Sequence, residues 1–267
     1  MKKLGFVTPW YGDKIPGGAE MELRGIAKHL KASGLDVEIL CTCIEKFTSD
    51  WNKNFHKPGV TEEGGLTVRR FKVRKRNTAL FDKVNYKLMN DMEVSPEEER
   101  IYIEEMVRSD DLCRYIRENK EDYGLFVFIP YMFGTTYFGI KECPEKSVLI
   151  PCLHDESYAY MDIFRDLFKD MAGAIYHAQN EYVLANELYD LRKVNQAVLG
   201  EGVDTDFTYD AERFRKEQKI EDPFILYAGR KDAGKNIYLL IDYFREYKAR
   251  HKDSPLKLVL IDRKSVV

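Results

Sequence analysis

The sequence has no apolar run approaching the roughly 20 residues of a membrane-spanning helix, and no apolar stretch behind Met1, Lys2 and Lys3 that would make a signal peptide. Those absences predict a cytoplasmic protein. It also lacks an excess of positive charge: 42 Lys and Arg face 45 Asp and Glu, a net charge of -3. No overall cationic field draws it to nucleic acid, so a nucleic-acid partner is not expected and any basic site must be local. Cysteine is scarce, with five residues, odd in number and scattered (Cys41, Cys43, Cys113, Cys143, Cys152). They read as reduced core residues rather than a disulfide framework. Cys41 and Cys43 lack a nearby His or Cys pair at zinc-site spacing, which argues against a metal there. No Gly-x-Gly-x-x-Gly follows the first strand, which disfavours a nicotinamide dehydrogenase, and no Walker motif is present.

What is present is 44% hydrophobic and 13% aromatic content, enough over 267 residues for one large core or two modest ones. An apolar strand at 4–8, a Gly/Pro loop at 9–18 and a helix with Ala19, Leu23, Ala27 and Leu30 on its apolar side come first. Gly34 stops the helix, and a β-type run at 37–42 completes a strand, helix, strand unit of the length that parallel pairing needs. The pattern predicts an open α/β sheet. Residues 46–65 read as an irregular insertion, 66–73 as a basic strand, and Ser95, Pro96, Glu97 and Glu98 as the start of one long helix ending near Asn119. Further strands are predicted at 125–129, 147–153 and 174–176, and helices at 159–168 and 182–192. The first domain then spans 1–198 and a second α/β domain occupies 199–267, with strands at 224–228 and 256–261 around a helix at 236–250. Two strands and one helix cannot cover both faces of a parallel sheet, so the second domain reads as incomplete.

Two loops join a strand to a helix where free N–H groups and the helix dipole favour an anion. The first carries Pro16, Gly17, Gly18, Ala19 and Glu20; a ligand loop and a plain turn are equally good readings of it. The second, residues 229–236, adds Arg230 and Lys235, two cations suited to a diphosphate, with a solvated basic turn as the alternative. His154, Asp155 and Glu156 follow the strand at 147–153, which puts them at the carboxyl edge of the sheet where open α/β folds bind ligands.

Taken in order, Pro16-Gly17-Gly18-Ala19-Glu20, His154-Asp155, the crossover segment Gly200, Glu201, Gly202, Val203 and Asp204, and Gly229-Arg230 with Lys235 resemble the motifs of family 4 glycosyltransferases. The resemblance covers nearly the whole chain and is weakest over 46–118. It implies a GT-B-like α/β fold of two Rossmann-like domains, with the acceptor side mainly in the first and a nucleotide-diphosphate sugar held mainly by the second. Arg230 and Lys235 would then clamp the donor diphosphate, and Gly17 and Gly18 would line the cleft near the phosphates. His154 would touch the transferred sugar or the reacting centre, Asp155 and Glu156 would lie on the acceptor side, and Gly202 would let the crossover loop pass close by. The resemblance also implies retention of configuration and a glycan, lipid-linked or polysaccharide acceptor. Fixed cations and a helix N-terminus stabilise a departing diphosphate, so no metal and no cofactor are expected.

The chain departs from the family after residue 261, where a Gly turn and later a Glu-x7-Glu motif are expected. Residues 262–267 are instead those encoded by a common sequencing-adapter oligonucleotide, which predicts a non-native end and an inactive or weak fragment. Asn180-Glu181 stands where the family often has Ser-Glu. Arg69, Arg70, Lys72, Arg74, Lys75 and Arg76 form a cationic strip that suits either a solvated strand edge or a peripheral contact with the inner membrane face or a lipid-phosphate acceptor. Tyr160, Phe164 and Phe168 have core-like helical spacing, with sugar stacking as the alternative. Two other functions fit the same pattern: a non-catalytic acceptor-binding domain, and a sugar-nucleotide epimerase or phosphorylase on this fold.

Overall fold

The computed structural model describes residues 2–229, 231, 233–262 and 265–266. Chain contacts divide it into two units, Met1–Val203 and Asp204–Val267.

Within the first unit the strands are β1 (Lys3–Thr8), β2 (Val37–Thr42), β3 (Gly59–Glu63), β4 (Leu66–Phe71), β5 (Tyr123–Phe128), β6 (Ser147–Leu149), β7 (Gly173–Tyr176) and β8 (Asn195–Val198). The helices are α1 (Gly18–Ala32), α2 (Thr78–Met89), α3 (Pro96–Glu104), α4 (Asp110–Asn119), α5 (Gly134–Glu142), α6 (Asp162–Phe168) and α7 (Gln179–Leu188). One sheet of order β3-β4-β2-β1-β5-β6-β7-β8 results, parallel throughout except for the antiparallel β3 at its edge. The chain winds from β1 to β2 in one direction and from β5 to β8 in the other. Right-handed crossovers in opposite directions place their helices on opposite faces of the sheet.

The two cores bear this out. On one face α1 buries Leu23 and Ala27 against Phe6, Ile39, Val127 and Ile150. The other face holds the larger cluster, including Phe81 of α2, Tyr102 and Ile103 of α3, Leu112 and Ile116 of α4, Ile140 of α5 and Phe164 of α6. β2 is buried at all six positions, as a parallel strand covered on both faces requires. Its Glu38 is 1% exposed and is matched from three directions: Arg69 Nε at 2.8 Å, the Tyr123 hydroxyl at 2.6 Å and Lys3 Nζ at 3.4 Å.

Several elements differ from the sequence reading. The long helix expected from Ser95 to Asn119 is two: Ser95 caps α3 with a capping box, and Ser109 caps α4 by accepting from Leu112 N–H. Ser109, Asp110 and Asp111 are themselves an N-cap with first-turn acids, a local start signal that overrides continuation. The insertion at 46–65 contains β3, which turns into β4 through Gly64 and Gly65, with φ of 57° and 80°. β6 is three residues long rather than seven. Tyr160 lies in a short 3-10 turn before α6 and is 49% exposed, whereas Phe164 and Phe168 are core.

In the second unit, α8 (Ala211–Gln218) precedes β9 (Phe224–Ala228), α9 (Ile237–Arg250), β10 (Lys257–Asp262) and β11 (Ser265–Val266). β9 and β10 are parallel and β11 pairs antiparallel with β10. Ile225 and Leu226 of β9 are 45% and 49% exposed.

Candidate functional site

The switch point of the first sheet lies between β1 and β5, the place where open α/β folds leave a crevice outside the strand ends. The segments leaving these strands are locked into a ring. After β1, Trp10 donates from Nε1 to Glu20 Oε1 of α1 at 2.8 Å and packs edge-on against Phe133, which follows β5. Tyr131, in that same segment, donates its hydroxyl to Glu156 after β6 at 3.0 Å. Glu181 of α7 accepts from Leu153 N–H and from His177 N–H, each at 2.7 Å, tying the β6 segment to the end of β7. His177 Nε2 meets Glu22 of α1, which closes the ring.

Each sequence-selected residue can be placed on this frame. Gly17 precedes α1 with φ 144° and ψ 157°, a conformation open in practice only to glycine. An added Cβ there would sit 1.9 Å from Glu20 Oε2. Gly18 is the first residue of α1 and has open space around it. His154 and Asp155 are exposed, and Asp155 accepts from the Tyr160 hydroxyl at 2.8 Å. His154 does not follow directly on its strand: β6 ends at Leu149, and residues 150–153 intervene, with Cys152 at φ 52°. Glu156 is partly buried, and burial pushes its carboxyl up against the opposing effects of the Tyr131 hydroxyl and His154. Asp155 and Glu156 also line a cavity of about 470 Å³ with Leu88, Asp91, Met92 and Tyr160. Glu99, which borders the same cavity, is engaged structurally, accepting from Asp162 N–H and Ile163 N–H at the start of α6.

Gly202 is exposed, and an added Cβ would meet nothing within 4 Å; in the crossover segment the glycine-demanding position is Gly200, at φ 73°. In the second unit, Lys235 is exposed in a short 3-10 turn just before α9. Asn236, the N-cap of α9, has φ 54° and makes no side-chain cap bond. Arg230 lies outside the described residues.

The cationic strip at 69–76 does not form one exposed face. Arg70 is 3% exposed and bonds to Thr61, Glu63 and the carbonyl of Tyr11. Arg69 is engaged by Glu38, Arg74 by the carbonyl of Glu104, and Lys75 by the carbonyl of Asn52. Arg76 lies over the rings of Phe81 and Trp51 at 4.2 and 4.9 Å. The cause is strand alternation, which sends Arg69 and Arg70 to opposite faces of a sheet flanked by β3.

Sequence reasoning missed the ring residues Trp10, Glu22, Tyr131 and His177. Glu181 had been noted only for its neighbour, Asn180. One signal was available, since His177 and Glu181 are four residues apart across a strand-to-helix junction.

No family model matches the chain, and neither does any curated protein sequence. Solved structures do. Sucrose-phosphate synthase from Thermosynechococcus elongatus aligns over 99% of this chain and 64% of its own, at 15% identity and a TM-score of 0.59. Anabaena HepE in complex with UDP and glucose aligns over 97% of this chain and 61% of its own, at 12% identity and a TM-score of 0.62. Trehalose-6-phosphate synthase OtsA aligns over 97% and 64%, at 12% identity and a TM-score of 0.55. The chain therefore spans somewhat less than two thirds of the length of these structures. Identity this low speaks to architecture alone, and the architecture is α/β of the GT-B type.

Proposed function

We propose that the chain belongs to a nucleotide-sugar-dependent glycosyltransferase of family 4 type, with its acceptor side in residues 1–198 and its donor side from 199 onward. The observation that carries this reading is the ring of strand-end segments at the switch point, with Gly17 on its α1 side and His154 to Glu156 on its β6 side. The likeness to HepE in complex with UDP and glucose supports a nucleoside diphosphate sugar as donor. In the donor unit, the start of α9 carries no side-chain cap, so its N–H groups and Lys235 suit the charge of a departing diphosphate, and Arg230, five residues earlier in sequence, is the second cation assigned to it. That is electrostatic stabilisation without a metal at the reacting bond.

On this reading the sugar, a hexose, passes with retention to a glycan, a lipid-linked or a polysaccharide acceptor on the cytoplasmic side. His154 contacts the sugar or the reacting centre, and Asp155 and Glu156 face the acceptor through the cavity they line. Lys72 and Lys75, exposed beside β4, are the positions of the 69–76 segment that suit a peripheral contact with an anionic membrane surface. The test is nucleoside diphosphate release from a panel of UDP-, GDP- and ADP-sugars, with acceptor mixtures added. Weak release is expected from one donor class, reduced in His154→Ala to the rate seen without protein. Equal rates in the wild type and the variant would remove His154 from the mechanism.

A further inference from the structure

The ring closes on a cluster that the transferase reading does not use. Glu22 Oε, Cys152 Sγ and a ring nitrogen of His177 lie within 4.8 Å of one another. Glu201 Oε1 is 4.0 Å from His177 Nε2. The side chains of Glu22 and His177 are 6% and 16% exposed, so Glu22 is more than nine-tenths buried. Its second oxygen, Oε2, is buried with no hydrogen-bond partner among the described residues. A buried carboxylate oxygen facing nothing is costly unless something positive completes it.

His177 is already oriented for that role. Its Nδ1 is 3.5 Å from Glu181 Oε2, and Glu181 is held by Leu153 N–H and His177 N–H. A carboxylate behind one imidazole nitrogen, itself fixed by backbone bonds, is the arrangement that aims the other nitrogen at a metal. Sulfur, imidazole and carboxylate donors together suit zinc rather than magnesium or calcium. A tetrahedral zinc shell needs donor separations of about 3.3–3.8 Å, so side-chain rotation alone can gather the three ligands.

We propose that Glu22, Cys152 and His177 bind a zinc-type divalent ion, with Glu201 or a water as fourth ligand and Glu181 as the outer partner of His177. Binding displaces two protons to solvent, one shared between His177 and Glu22 and one from the Cys152 thiol. Protons and metal therefore compete for the same donor atoms. The ion fastens α1, through Glu22 in its second turn, to His177 just after β7. It does not depend on the donor chemistry proposed above.

The test uses the untagged full chain, stripped with EDTA and titrated with Zn²⁺ against a chromophoric chelator, and separately with Co²⁺. One Zn²⁺ per chain is expected, with a thiolate-to-Co²⁺ charge-transfer band. Cys152→Ser removes the band, and Glu22→Gln and Glu181→Gln each weaken Zn²⁺ binding about tenfold or more, with circular dichroism confirming the fold. No stoichiometric Zn²⁺ binding by the wild type overturns the proposal. So does a Cys152→Ser titration identical to the wild type, which would assign any bound ion to another place.

Discussion

Replacing Gly17 by alanine tests how the first loop is built. At φ 144° and ψ 157° the backbone occupies a region that costs a residue with a Cβ about 1–3 kcal/mol. The new Cβ would sit 1.9 Å from Glu20 Oε2 and 2.7 Å from its Cδ, so the carboxylate must swing away. In doing so it releases the 2.8 Å bond from Trp10 Nε1, worth about 0.5–1.5 kcal/mol. Together these give a loss of about 2–4 kcal/mol, or a Tm lower by roughly 5–15 °C for a unit of this size. Gly18→Ala is the matched control, since its Cβ meets nothing and it opens α1. It should be neutral or stabilising by up to about 1 kcal/mol. Trp10 and Trp51, the only tryptophans, both lie in the first unit, so fluorescence during urea unfolding reports that unit alone. A Gly17→Ala midpoint equal to the wild type, or an equal loss in Gly18→Ala, would refute the reasoning.

Two further perturbations probe the buried charges. Glu38→Ala should cost about 1–3 kcal/mol in urea unfolding, because the buried Tyr123 hydroxyl loses an acceptor and Arg69 its partner; retained stability would mean those contacts contribute nothing net. The Glu22–His177 pair sets a pH dependence in EDTA-treated protein. Burial raises the Glu22 carboxyl above 4.5 despite His177; burial also opposes His177 protonation, but Glu22, with Glu181 and Glu201 behind it, outweighs that and raises His177 above 6.5. Both shifts are upward, so the folded chain keeps these protons to higher pH than the unfolded chain, and their contribution falls as pH rises through the two folded values. Wild-type stability relative to Glu22→Gln should therefore decline as pH rises above the ordinary imidazole range, and a flat or rising difference would contradict the pairing.

Much of the fold was legible because its signals are local. β2 reads as a β-type run broken only by Glu38, α1 has a clean apolar stripe, and β9 and α9 repeat the same unit. What escaped was set by tertiary context. β3 is exposed along most of its length and exists through pairing with β4, and β6 ends at Leu149, three residues before Cys152 turns left-handed. Site residues fared similarly. Gly17 could be found from its place before a helix, whereas the Glu22–His177 contact joins positions 155 residues apart, which no spacing rule anticipates. The basic strip looked continuous in sequence and is divided in space between two faces and several internal partners.

The most direct test of the central claim is ligand-observed NMR of the chain with UDP, GDP, ADP and their sugars. The account predicts saturable binding of one nucleoside diphosphate class, displaced by its sugar nucleotide and weakened about tenfold or more by Lys235→Ala, the worth of one charge-assisted phosphate contact. No binding across the panel, or binding indifferent to Lys235, would contradict it.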